Sequence, residues 1–251
     1  MRAKFTFLLL ITIALFSCTE ELEEFESDQV QDYVQPQVGR SITYRTDSTI
    51  FTEFGTKTEV RSYQEKHVVD AQIPDASNRP SYRVLRYTRN LAGTEAWKPS
   101  GSYLITVANN TFEVVENNLR FLKLVLPIKK DMTWKGNRYL PSDPYGSIYN
   151  FSNDDNIADW EFVYTSLSET VTLNGKTYNN VLTVQSIDES QNFPVTAPQQ
   201  YGFKNFLQEK YAKGVGLVYQ DYIMWEYQPN PSGANPFKTG FGVKRTILDR
   251  N

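Results

Sequence analysis

Beyond residue 38, apolar and polar side chains alternate with a period of two along almost the whole chain. That pattern constrains the fold more than any other feature, because a strand sends successive side chains to opposite faces whereas a helix repeats every 3.6 residues. In GRSITYRTDSTIFTEF, residues 39–54, Ile42, Tyr44 and Thr46 fall on one parity and Ser41, Thr43 and Arg45 on the other. The stretch is rich in Thr, Ile, Tyr and Phe, which fit a pleated, half-buried surface. Similar runs occupy 58–69, 82–89, 103–107, 111–115, 119–128, 160–172, 177–187, 217–227 and 241–248. In the run at 119–128, Leu122, Leu124 and Leu126 share a face opposite Phe121, Lys123 and Val125. The clearest local prediction is a hairpin in TVTLNGKTYNNVLTV, residues 170–184, where Asn174-Gly175 suits the type I′ turn whose twist matches its flanking strands.

One segment competes with this pattern. In GFKNFLQEKYAKG, residues 202–214, Phe203, Phe206, Leu207 and Tyr211 stand at i, i+3, i+4 and i+8, and Gly214 sits where a helix stop belongs, so a short helix rivals a strand there. Loops rich in Pro, Gly and Asn fall at 70–80, 135–157, 188–202 and 228–240; none reads as a domain linker, and no repeat of fixed period is present. No regular alternation with helices calls for a parallel sheet. About ten strands exceed what an open twisted sheet holds without curling or splitting. The expected fold is therefore mainly β: a single antiparallel domain with a strongly curved, barrel-like sheet and one short helix over its mouth, the alternative being a two-sheet β-sandwich.

The first residues follow a different rule. Arg2 and Lys4 precede the apolar run Phe5 to Phe16, too short for a transmembrane helix and of the length of a secretory signal. Leu15-Phe16-Ser17-Cys18 ends that run, and Cys18 is the chain's single cysteine. These four residues resemble the lipobox of bacterial lipoproteins, although Phe16 is bulkier than the usual residue at its position. The resemblance implies cleavage before Cys18 and acylation of its sulfur. A diacylglycerol with an N-acyl chain holds a protein firmly on a membrane where one chain holds it marginally. TEELEEFESDQVQD, residues 19–32, then carries seven acidic side chains and no basic one, a self-repelling stretch suited to a spacer. The division that follows is a signal peptide at 1–17, a lipidated Cys18 with an acidic spacer at 18–38, and a β-rich globular domain at 39–251. Acidic residues just behind the cysteine resemble the surface-export signal of Bacteroidota lipoproteins, so the expected location is the outer membrane, with the domain facing the cell surface or the periplasm.

Four further stretches, GRSITYRTDSTIF (39–51), RPSYRVLRYTRN (79–90), ENNLRFLKLVLPIKKDMTWKGN (116–137) and YAKGVGLVYQDY (211–222), resemble uncharacterised outer-membrane lipoproteins of Bacteroidota. The resemblance implies a β-rich envelope lipoprotein. It transfers no activity and no catalytic residue.

Residue types narrow the chemistry further. Without residues 1–17 the chain has 24 basic and 29 acidic side chains, a balance unsuited to nucleic acid. His67 is the single histidine, and an acylated Cys18 is no free thiol, so multi-His cages, Cys/His nucleophiles and HExxH zinc sites cannot be assembled. His67 reads as a packed strand residue; no cofactor motif is present, and no catalytic residue is assigned. Carboxylates remain: Asp154, Asp155, Asp159 and Glu161 flank Trp160 in NDDNIADWE, which is the arrangement a carboxylate-dependent glycan hydrolase would need if two of them faced one bond. Asp154, Asp155 and Asp159 also offer oxygen ligands to Ca2+, without the order of an EF-hand. Trp97, Trp134, Trp160 and Trp225 are candidate ligand-binding platforms, with packing as the alternative use of each. The expected function is a noncatalytic, lipid-anchored module binding an envelope protein, glycan or lipid. The competing readings are the hydrolase and a lipid or lipoprotein carrier with an apolar cavity.

Overall fold

A computed structural model describes residues 28–108, 110–152, 156–230 and 235–251. Cys18, Asp154 and Asp155 lie outside the described residues. Twelve strands follow in chain order: β1 Ser41–Thr52, β2 Lys57–Pro74, β3 Pro80–Asn90, β4 Lys98–Ala108, β5 Thr111–Glu116, β6 Leu119–Val125, β7 Thr133–Lys135, β8 Glu161–Leu173, β9 Lys176–Gln191, β10 Gly202–Ala212, β11 Gly216–Gln228 and β12 Phe237–Arg250. They form one antiparallel sheet in the order β6-β5-β4-β3-β2-β1-β12-β11-β10-β9-β8-β7. The chain is thus two meanders joined where β1 pairs with β12, Thr46 standing opposite Arg245. The sheet curls into a nearly closed barrel; the two-sheet sandwich does not form.

The hairpin expected at Asn174-Gly175 joins β8 and β9, and both residues take the positive φ (49° and 76°) that a type I′ turn requires. Residues 202–212 correct the helical reading, since they form β10, paired with β9 on one side and β11 on the other. The misleading spacing has a local cause. Asn205, Leu207, Glu209 and Tyr211 alternate as the buried residues of β10, but two of the four are polar, and Phe206 on the other face is apolar, so the apolar side chains fall at a helix-like spacing.

The free edges of the sheet meet and are joined largely through side chains. The Leu122 N–H donates to the Gly136 carbonyl at 2.8 Å, and the Trp134 indole Nε1–H donates to the Leu122 carbonyl at 2.9 Å. The Tyr164 hydroxyl donates to the Val125 carbonyl (2.7 Å) and accepts from the Val125 N–H (2.9 Å). β6 is consequently buried on both faces: Leu122 and Leu124 pack in one apolar cluster with Trp134, Phe162 and Tyr164, while Lys123 points the other way. An exposed edge invites pairing with another chain, and this seam covers two at once.

Among the described residues the one α-helix lies in the stretch expected as spacer. α1, Val30–Tyr33, is a single turn in which the Gln29 N–H donates to Asp32 Oδ2 at 3.0 Å. Val30, Tyr33 and Val34 are buried in the main apolar cluster with Val84, Ile105 and Tyr211. The segment is fixed at the β10–β11 turn by Gly214 N–H to the Asp32 carbonyl (2.7 Å), by Lys213 to Asp28 (2.5 Å), and by Arg40 to the Gly214 carbonyl (2.8 Å). It closes one end of the barrel. Turns 53–56 and 117–118, together with the long β7–β8 loop, lie at the other.

Candidate functional site

Alternation that places apolar residues on the concave parity of a closed sheet produces an interior, and this interior is not filled. A cavity of about 410 Å³ runs through it, within the range of about 300–1,000 Å³ usual for ligand sites. Val69, Val84, Ile105, Phe112, Val114 and Val243 supply much of its wall. Val34, Gln35 and Pro36 of the N-terminal segment line the capped end. At the opposite end Tyr145, carried in by the β7–β8 loop, meets Phe241 (ring centroids 5.5 Å apart) and shares a 3.0 Å hydroxyl contact with Tyr222. Burial raises the phenol pKa of both tyrosines, that of Tyr145 to about 12, so both stay neutral.

A polar belt interrupts the apolar wall. Glu209 on β10, 1% exposed, accepts from Lys123 of β6 (2.7 Å), from Gln220 of β11 (2.7 Å) and from the Tyr211 hydroxyl (2.7 Å). Gln220 accepts in turn from Arg245 of β12, whose Nε donates to Glu65 of β2 at 2.8 Å. Glu65 also accepts from the Thr46 hydroxyl at 3.0 Å. His67 follows Glu65 on the same face, its Nδ1 2.9 Å from the Tyr103 hydroxyl, and Arg86 of β3 pairs with Glu116 of β5. Nine strands thereby contribute to one connected set whose cations and carboxylates pair off: Lys123 with Glu209, Arg245 with Glu65, Arg86 with Glu116.

Burial works against ionisation of Glu65 and Glu209, yet the neighbouring cations outweigh it and hold both carboxyls below their ordinary range. For Glu65 the chief counterweight is Arg245, then His67; for Glu209 it is Lys123, then its hydrogen bonds. The His67 pKa is lowered as well, because burial lowers it more than Glu65 raises it, and here the shift favours the neutral form, so the imidazole is neutral at pH 7.

Two nitrogens of the belt are left over. Arg86 Nε is buried and has no hydrogen-bond partner among the described residues. The same holds for His67 Nε2, which lies 3.3 Å from Glu65 Oε1 but in poor alignment. Arg86 reaches this place because it stands opposite Gly101 on β4, where a Cβ would come within 3.0 Å of its guanidinium.

The four tryptophans are not brought together, and none lines the cavity. Trp134 belongs to the seam. Trp97 has Lys66 4.6 Å and Arg89 4.2 Å from its ring centroid. Trp160 packs on the cluster around Leu140, Ile157 and Met224. Trp225 is buried between Phe51 and Phe193, with Lys238 4.8 Å from its ring. Asp159 is exposed and bonds Lys135 at 2.5 Å, and the described residues contain no group of three potential metal ligands. His67 is a packed strand residue that also lines the cavity. The belt residues Glu65, Arg86, Lys123, Glu209 and Arg245 were not anticipated. Their signal in the sequence is a charge on the apolar parity, as in Leu207-x-Glu209-x-Tyr211 and Val243-x-Arg245-x-Ile247.

No protein-family model matches this chain, and no curated protein matches it. A solved structure described as a candidate outer membrane lipoprotein-sorting protein domain from Vibrio parahaemolyticus aligns with it at 12% identity, over 85% of each chain, with a TM-score of 0.19. A superposition that loose leaves the barrel and its cavity to be argued from this chain's own residues.

Proposed function

We propose that this protein is a noncatalytic envelope lipoprotein that holds one small apolar or amphiphilic molecule inside its barrel. The observation that carries the reading is the 410 Å³ cavity walled by aliphatic and aromatic side chains. An apolar molecule moved from water into such a wall gains roughly 25 cal/mol per Å² of apolar surface buried. Among the expected functions this favours the carrier over recognition by surface loops.

Acylation of Cys18 in the outer membrane completes the proposal. Cys18 stands ten residues before Asp28, where the chain reaches the capped end of the barrel. A tether there turns that end toward the membrane and the Tyr145 end away from it. Nothing in this reading calls for a cofactor or for nucleic acid.

The test uses the neutral fluorophore N-phenyl-1-naphthylamine. Wild type is expected to bind it saturably at one site, and Val114→Trp, which places an indole in the cavity, to bind at least ten-fold more weakly with an unchanged unfolding midpoint. Binding that Val114→Trp leaves intact, or no saturable binding at all, overturns the reading. Mass spectrometry of organic extracts from protein purified under native conditions then identifies the cargo.

A further inference from the structure

We propose that the molecule held in the barrel carries an uncharged oxygen head group, an alcohol or a carbonyl such as that of an ester, and that Arg86 Nε is its hydrogen-bond donor. The inference rests on the cavity being the binding site and adds the chemistry of what it selects. Its premise is the charge pairing of the belt. Lys123, Arg245 and Arg86 each have a carboxylate partner in Glu209, Glu65 and Glu116, and His67 adds no charge at neutral pH. Arg40, at the capped end and outside the belt, donates to the Gln35 and Gly214 carbonyls and has no carboxylate partner among the described residues. Within the belt itself, an ion would meet cations whose charge is already compensated, and a buried charge without a counter-ion is costly.

Hydrogen-bonding capacity is what the belt has to spare. Arg86 Nε is a charged donor, buried and unpartnered among the described residues, and leaving such a donor unmade costs the full desolvation of the group. His67 Nε2, on the same wall, is the second unsatisfied nitrogen. A hydroxyl or carbonyl oxygen satisfies Arg86 Nε and adds no charge. A carboxylate would satisfy it too, but it would enter beside Glu65, whose Oε1 lies 3.9 Å from Arg86 Nη1 and 3.3 Å from His67 Nε2. The chain of the ligand then extends along Val84, Ile105 and Val114.

The experiment displaces N-phenyl-1-naphthylamine from the full-length protein at pH 7.5 with dodecanol, dodecanoate and dodecane, which share a chain and differ in head group. Dodecanol is expected to bind at least ten-fold more tightly than dodecanoate. Arg86→Met, which keeps most of the apolar stem, is expected to weaken dodecanol about ten-fold and to leave the fluorophore and dodecane unaffected. Dodecanoate binding as tightly as dodecanol, or dodecanol binding no better in wild type than in Arg86→Met, overturns the inference while the cavity reading stands. Failure of wild type to bind the fluorophore overturns both. The wild-type comparison of alcohol and acid decides the matter even if Arg86→Met does not fold.

Discussion

Glu209 shows how a single charged side chain is held in an apolar interior. Its carboxylate accepts from Lys123, Gln220 and Tyr211, and these outweigh the burial that would otherwise neutralise it. Glu209→Leu leaves Lys123 buried without a counter-ion and is expected to cost about 3–5 kcal/mol, whereas Glu209→Leu with Lys123→Met should recover most of that loss. Urea unfolding of both variants measures the coupling, and a single variant no less stable than the double would refute it. The pH dependence has a defined sign. Because Glu209 and Glu65 titrate lower in the folded protein than in the unfolded chain, their contribution is complete above the unfolded value of about 4.3 and disappears as pH falls toward the folded values. Stability should decline with acid first below about pH 6.5, where the unfolded chain protonates His67, and again below about pH 4.3 as the carboxylates titrate, the second fall being less steep in the double variant. The belt was legible in the sequence only as an anomaly, a charge at 123, 209 and 245 between apolar or aromatic neighbours two residues away, and at 65 between Tyr63 and His67. Nothing in those local patterns says that the four meet, because they come from β2, β6, β10 and β12 and assemble only when the sheet closes.

At the level of elements, alternation located the strands well, and the lapses have physical causes. β7 has three residues and offers too little sequence for a period to register. β10 imitates a helix because its buried parity carries the polar Asn205 and Glu209 while Phe206 is apolar on the other face. The runs at 119–128 and 160–172 were legible as strands, but not their meeting, because the seam depends on two side-chain polar atoms, the Trp134 Nε1–H and the Tyr164 hydroxyl. Trp134, read from sequence as a candidate platform, spends its N–H on the Leu122 carbonyl instead. Tyr164→Phe is the cleanest probe of this join, since it keeps the ring and removes the atom that satisfies both Val125 backbone groups. It is expected to cost about 1–3 kcal/mol and to speed amide exchange in β6 ahead of β1 and β12. Uniform acceleration across all strands would show instead that the seam opens only with the whole barrel.

Over the whole molecule, the cavity has covers of different construction at its two ends, and for the carrier proposed above this sets where a ligand would enter. The aromatic end is held by Tyr145 against Phe241 and Tyr222, packing that is part of the sheet wall on two of its three members. The other end is closed by residues 28–38, a segment attached to the barrel by Val30, Tyr33 and Val34, by ion pairs from Lys213 to Asp28 and Asp32, and by a few main-chain bonds. The sequence concealed this role, because the acidic run at 19–32 dominates its composition and Val30 and Tyr33 lack the alternation that marks the strands. A segment fixed by one short turn separates at lower cost than a strand flanked by two others, so the N-terminal cover is expected to be the moving part. Val30→Ala with Tyr33→Ala should therefore speed dissociation of N-phenyl-1-naphthylamine, read by stopped-flow dilution, by at least ten-fold, while Tyr145→Ala changes it less. The unfolding midpoint is measured alongside. A lowered midpoint with an unchanged dissociation rate would mean that α1 stabilises the barrel without gating it, and faster release from Tyr145→Ala would move the entrance to the opposite end. If Cys18 is acylated, the gating segment is also the tether, and the entrance opens toward the membrane.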